Sequence, residues 1–289
     1  MFEGAYTAIV TPFNADGSVD YGKFRELIAL QAEAGIDGIV PVGTTGESPT
    51  LDYDEHSRVI ETAVEACRGR MKVIAGTGGN STAEALMLTR HAQEVGADGT
   101  LQVTPYYNKP SQEGLYRHFS VLAEVGLPVV LYNVPSRTGR DIEVETVARL
   151  AQHPRIVAIK EAGGDVERVS QILRRCEISI LSGDDALTLP MMAVGARGVI
   201  SVASNVAPTA VAEMVHQALA GHWEEARRLH RRYYPLFADL FLEANPIPVK
   251  AAMAQMGLIR EVYRLPLCEP STAVKAKIAE CLKETGILQ

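Results

Sequence analysis

The sequence predicts an α/β protein, a closed (β/α)8 TIM barrel with a C-terminal helical appendage, and three observations carry that prediction. Eight short β-branched runs alternate with longer amphipathic stretches, whereas an open doubly wound sheet more often stops at about five to seven strands. No GxGxxG follows the first run, although a dinucleotide-binding sheet would place one there. From Pro208 onward the strand signal disappears and helical patterns continue to the end, broken by Asn245-Pro246-Ile247-Pro248 and Leu265-Pro266. The expected division is therefore a catalytic barrel over 1–224 and a helical segment over 225–289.

The predicted strands are Ala5–Val10, Gly38–Val42, Val73–Gly76, Thr100–Thr104, Val129–Tyr132, Ile156–Lys160, Ile178–Leu181 and Gly198–Val202. Each is a short, nearly continuous apolar run, the signature of a parallel strand buried on both faces. Between them, apolar residues recur at helical spacing over Tyr21–Glu33, Asp54–Cys67, Thr82–Val95, Ser111–Val125, Ile142–Gln152, Val166–Cys176 and Ala186–Val194. In such a barrel the chemistry gathers at the C-terminal strand ends. The sixth run, Ile156-Val157-Ala158-Ile159-Lys160-Glu161, ends in a lysine, and strict alternation would put Ile156, Ala158 and Lys160 on one face. An ordinary lysine, with a pKa of about 10.4, is neutral in only roughly one molecule in two thousand at pH 7. A buried strand end can lower that pKa and make the amine a nucleophile.

The other strand ends supply partners for it. Gly43-Thr44-Thr45-Gly46-Glu47 follows the second strand, where glycines free backbone N–H groups and two hydroxyls can hold a carboxylate. The fourth strand ends in Thr104-Pro105-Tyr106-Tyr107-Asn108, which brings phenols to the rim. The fifth ends in Tyr132, with Arg137 just beyond; tyrosine can relay a proton and arginine can clamp a carboxylate through two hydrogen bonds. Ser182-Gly183-Asp184-Asp185 follows the seventh strand, and two carboxylates there disfavour a phosphorylated substrate by like-charge repulsion. A buried lysine, a tyrosine on the neighbouring strand, a hydroxyl pair and an arginine together point to Schiff-base chemistry on a 2-oxo acid.

Across its whole length the sequence resembles the dihydrodipicolinate synthase family, within the pyruvate-dependent class I aldolases related to N-acetylneuraminate lyase. The motifs that carry the resemblance are Gly43-Thr44-Thr45-Gly46-Glu47, Val103 to Asn108, Leu131 to Gly139, Ile159-Lys160-Glu161, Ser182 to Asp185 and Asn245 to Lys250. The resemblance implies that Lys160 forms an imine with pyruvate, held by Thr44, Thr45 and the backbone near Ile200. Tyr132, Thr44 and Tyr107, the last reaching in from a neighbouring subunit, would relay protons. Arg137 would bind the carboxylate of aspartate 4-semialdehyde, and Gly183 would border the pocket. It further implies no metal, no organic cofactor and a homotetramer built as a dimer of dimers. In lysine-inhibited members the end product lysine binds at positions matching Ser48, His56, Asn80, Glu84 and Tyr106. Two departures are visible: Gly163 stands where the family usually has threonine or serine, and Pro49 and Tyr53 replace an alanine and a histidine common in the bacterial lysine site.

Bulk composition excludes several other readings. With 47% hydrophobic residues, 22% charged and a net charge of −7, the chain lacks the basic face of a nucleic-acid groove. Its most apolar window, Ala186 to Ala203, is interrupted by Pro190 and Arg197 and preceded by Asp185, too broken for a membrane span. Four cysteines without CxxC spacing and the lack of a signal-type N-terminus fit a reduced, cytoplasmic setting. Gly76-Thr77-Gly78-Gly79-Asn80-Ser81 lacks the ending of a P-loop and reads as a tight turn. His216, His222 and His230 do not share a helical face and read as solvated; Arg227, Arg228, Arg231 and Arg232 read as a solvated helix face or a subunit contact. Two rivals stay open: a 2-keto-3-deoxy acid aldolase of the same superfamily, and a metabolite sensor that kept the barrel without turnover.

Overall fold

The computed structural model describes residues 2–288. Eight parallel strands close on themselves in sequence order, from β1 (Gly4–Ala8), β2 (Gly38–Val40), β3 (Lys72–Gly76) and β4 (Gly99–Val103) through β5 (Val129–Asn133), β6 (Ile156–Glu161) and β7 (Ser179–Ser182) to β8 (Gly198–Ser201), which pairs back to β1. Every expected strand is present, with ends displaced by at most two residues.

The helices are α1 (Tyr21–Glu33), α2 (Tyr53–Cys67), α3 (Thr82–Glu94), α4 (Gln112–Ala123), α5 (Pro135–Thr138), α6 (Val144–Leu150), α7 (Glu167–Leu173), α8 (Thr188–Ala193), α9 (Pro208–Leu219), α10 (Trp223–Asp239), α11 (Ile247–Gln255) and α12 (Thr272–Glu284). Their starts are chemically marked. Asp52 accepts from the Glu55 amide while the Glu55 side chain reaches back to Asp52, a capping box that begins α2; Asp20, Ser81 and Ser111 cap α1, α3 and α4. Gly35 and Gly96, both at positive φ, turn the chain out of α1 and α3 toward the next strand. The four-residue α5 was not expected, because a single turn has too few residues to show a period.

Side chains alternate between two apolar layers. Tyr6, Val40, Leu101, Val130, Ala158 and Ile200 are among those filling the bore, while Ile39, Leu131, Ile159 and Ile180 face the helices. Burying each such large aliphatic group contributes about 1.5–3 kcal/mol. Strand β6 departs from strict alternation. Val129 pairs with Ile156 but Val130 pairs with Ala158, so one extra residue is accommodated there. Ile156 consequently packs in the outer layer, leaving Ala158 and Lys160 of the expected Ile156–Ala158–Lys160 row on the inner face, a correction to that row. Beyond β8, α9 packs on β1, α10 on α9, and α12 on α10 and α11. His230 is half-buried beside Tyr234 and Phe237 rather than solvated, while Arg227 and Arg228 pair with Glu224 and Glu225 on an exposed face.

Candidate active site

Lys160 ends the inner face of β6 with only 6% of its surface exposed. Registered beside it on β5 is Tyr132, and the lysine Nζ lies 4.2 Å from the centre of the tyrosine ring. Room for the lysine is made by Gly183 just past β7: a Cβ there would fall 2.9 Å from Lys160 Cε and 2.7 Å from Ala162 Cβ. Any side chain at 183 would displace the amine, so Gly183 shapes the site through the volume it leaves free.

A cavity of about 200 Å³ opens over the lysine at the C-terminal mouth of the barrel. Thr44, Thr45, Tyr132, Arg137, Lys160 and Gly183 all line it, so six of the eight catalytic and substrate-binding candidates converge there. The other two do not. Ile200 is fully buried in the bore, and Val202 forms the cavity wall on that side. Tyr107 sits on the loop after β4, 91% exposed at φ +73°, outside the cavity of its own chain. Ser136, Phe241 and Asn245 also line the cavity and were given no individual role from the sequence. Asn245 carried a signal, as the first residue of the quoted Asn-Pro-Ile-Pro segment. Its Nδ2 donates to Thr45 Oγ1 at 3.0 Å, and its carbonyl accepts from Arg137 Nη2 at 3.1 Å.

The two carboxylates after β7 have separate fates, which corrects the pair expected at the rim. Asp184 faces the cavity and caps the following turn, accepting from the Ala186 and Leu187 amides. Asp185 is buried and accepts from Ser201 Oγ and the Val202 and Ala203 amides. Burial pushes its pKa up, against the pull of those three donors. One carboxylate of the pair, rather than two, therefore lines the cavity.

Glu161 follows the lysine and, by alternation, points to the other side of the sheet. It accepts from Arg168 Nε at 2.7 Å, Asn133 Nδ2 at 2.9 Å and the Gly163 amide at 2.8 Å. Burial raises its pKa and Arg168 opposes that rise. A Cβ at Gly163 would stand 2.7 Å from Glu161 Oε1.

A second cavity of about 190 Å³ adjoins the first and shares Gly43, Thr44, Leu101, Tyr132, Val134 and Arg137 with it. Of the five expected lysine-site residues, Ser48 and Tyr106 line this space. Asn80 and Glu84 lie off its lining: Asn80 Nδ2 donates to the Tyr106 carbonyl at 3.2 Å, and Glu84 accepts from Tyr53 Oη at 2.7 Å. His56 is buried beneath it, its Nε2 2.9 Å from the carbonyl of Gly76, and burial lowers its pKa.

The model of the dihydrodipicolinate synthetase family matches residues 1–285. The chain belongs to that family. A 4-hydroxy-tetrahydrodipicolinate synthase from Geobacter sulfurreducens is 55% identical over 291 residues, covering all of both chains. The chloride-inhibited dihydrodipicolinate synthase from Acinetobacter baumannii, solved in complex with pyruvate, superposes with a TM-score of 0.96 at 44% identity over all of both chains. The synthase from Cyanidioschyzon merolae, solved with lysine bound, superposes equally well, at 43% identity over 99% of each chain. Membership accords with the closed barrel and C-terminal helices, and among the described residues no helix is long and apolar enough to cross a membrane.

Proposed function

We propose that this enzyme is a 4-hydroxy-tetrahydrodipicolinate synthase, condensing pyruvate with aspartate 4-semialdehyde in the diaminopimelate route to lysine. The observation that carries the reading is a lysine buried at the floor of a cavity whose walls hold a tyrosine, two threonines and an arginine. In this reading the Lys160 amine adds to the pyruvate ketone and water leaves, giving an iminium that draws electrons from the adjacent methyl. Loss of a methyl proton yields an enamine, whose carbon attacks the aldehyde. Tyr132 and Thr44 line the same cavity and are placed to move these protons, joined by Tyr107 of a neighbouring subunit. Tyr107's outward exposure supports that sharing across a subunit contact, and the family resemblance supports a homotetramer made of two tight dimers. Thr45 and the turn around it receive the pyruvate carboxylate, and Arg137 at the mouth receives that of the aldehyde. The substrate's own amine then displaces Lys160 and closes the ring. Neither metal nor organic cofactor enters these steps. Four unpaired cysteines support a cytoplasmic location.

A coupled assay with pyruvate and aspartate 4-semialdehyde tests the reading. Cyclic product is expected; cleavage of a 2-keto-3-deoxy acid without it would favour the rival aldolase, and no turnover with either would favour the sensor.

The second cavity supports inhibition by lysine, through Tyr106 and Ser48 and the groups around them. Its walls are also walls of the catalytic cavity, so a ligand there acts on Thr44, Tyr132 and Arg137 directly, with a coupling of roughly 1–3 kcal/mol. Titrating lysine against initial rate at saturating pyruvate checks this. No inhibition at millimolar lysine, or inhibition unchanged in Glu84→Ala, would remove the regulatory role and leave catalysis standing.

A further inference from the structure

The turn that carries Thr44 and Thr45 is held in an unusual backbone state. Val42 before it has φ +49° and Glu47 after it has φ +55°, so two residues with side chains bracket the turn in the left-handed region. For a β-branched residue such a conformation is a true outlier, and strain of this kind persists only where the surroundings over-determine it. Gly46 folds tightly back, since a Cβ on it would meet Val42 N at 2.9 Å, and Thr11 Oγ1 donates to the Gly46 carbonyl at 2.7 Å.

The far end of the turn is fixed from α11. Glu47 and Lys250 form an ion pair in which both side chains are fully buried. The Lys250 ammonium also lies 4.2 Å from the centre of the Phe13 ring and 5.2 Å from that of Tyr263. The second Glu47 oxygen accepts from the Arg264 amide at 3.4 Å. Five residues before Lys250, Asn245 donates to the Thr45 hydroxyl. Replacing a buried pair with apolar residues of like size is often neutral or stabilising, so such a pair is a poor stability device, and its best-attested use is to fix one arrangement among several.

We propose that the Glu47–Lys250 pair is a positioning device through which the C-terminal helices hold the Thr44–Thr45 turn ready for the carboxylate of the 2-oxo acid. The proposal rests on the functional reading above. Neither residue lines the cavity, so both act through Thr44 and Thr45. The barrel's pyruvate end is incomplete without α11.

Two variants test this. Glu47→Asp keeps the charge and its partner but shortens the reach, and the double variant E47Q/K250M removes both charges. Thr45 receives the pyruvate carboxylate and Thr44 also moves protons, so in Glu47→Asp KM for pyruvate is expected to rise about tenfold while kcat falls by a smaller factor and KM for the aldehyde holds within about twofold. The folded double variant should show the same split. Borohydride at saturating pyruvate should still label Lys160 in both. An unchanged pyruvate KM in Glu47→Asp, an equal rise in both KM values, or failure of Glu47→Asp to fold would overturn the proposal and assign the pair to stability alone. The functional reading fails separately, if the unsubstituted enzyme traps no pyruvate on Lys160.

Discussion

Two of the buried carboxylates around the cavity are paired with cations, and the cations come from opposite parts of the chain. Glu161 is held within the barrel, by Arg168 seven residues on and by Asn133 of the neighbouring strand. Glu47 is held by Lys250, 203 residues away in α11. The first network lies behind the strand that presents the candidate nucleophile; the second lies under the turn that presents the candidate carboxylate-binding hydroxyls. Damage to the first should therefore appear mainly as lost stability, and damage to the second mainly as lost affinity for pyruvate.

The largest expected effect comes from breaking the first. Arg168→Ala strands Glu161 as a buried, unpaired charge and also removes a bond to Asp141 and one to the Ile142 carbonyl. A loss of about 3–5 kcal/mol is expected in urea unfolding. A loss below about 1 kcal/mol would mean that water replaces the guanidinium, and the contrast between the two carboxylates would collapse.

Next comes Arg137→Ala, which touches neither carboxylate. A net loss of about 1.5–3 kcal/mol, that of one charged hydrogen bond, should lower kcat/KM for the aldehyde by roughly 10–150-fold, with imine formation on pyruvate spared. If trapping and turnover fall in parallel, Arg137 serves the pyruvate end and the division of labour proposed for the cavity is wrong.

How far the sequence reveals these features follows from the range of the interactions involved. The strands and their polar ends are legible because buried parallel strands are continuous apolar runs, and a lysine or an arginine at such an end stands out. The irregularity at Ile156 is not, because it depends on which residue of β5 pairs with it. Asp184 and Asp185 look alike in sequence, and only the donors at the end of β8 separate them. Arg168 reads as an ordinary helix-surface arginine until Glu161 is seen to be its partner. The Asn245–Lys250 segment is legible as a motif, but its role requires knowing that it meets Glu47 and Thr45 across some two hundred residues.

Gly163→Ala sharpens the comparison on a smaller scale. Its Cβ would crowd a Glu161 oxygen that two donors, Asn133 Nδ2 and the Gly163 amide, already fix, so overpacking of about 1–2 kcal/mol is expected in the same unfolding assay. A neutral or stabilising result would show that the Glu161 carboxylate gives way more easily than its hydrogen bonds suggest.

The smallest effect comes from His118, away from both carboxylates. Burial holds its imidazole down at about 4, and its Nδ1 lies 2.8 Å from Thr82 Oγ1. A folded-state pKa below the unfolded value near 6.5 makes its contribution fully present above pH 6.5 and lost as pH falls toward 4, because the unfolded chain then binds the extra proton. Between pH 7 and pH 5.5 the native protein should lose about 1 kcal/mol through this group. His118→Asn should lack that share of the pH dependence, and an identical pH slope in the variant would place the acid sensitivity elsewhere.

The central claim is that Lys160 is the imine-forming amine, and borohydride reduction in the presence of pyruvate, followed by mass mapping of the adduct, tests it most directly. The reduced pyruvate adduct should appear on Lys160 and on no other lysine, and Lys160→Ala should trap nothing. An adduct on Lys250 or any other lysine, or trapping that survives Lys160→Ala, would contradict the account.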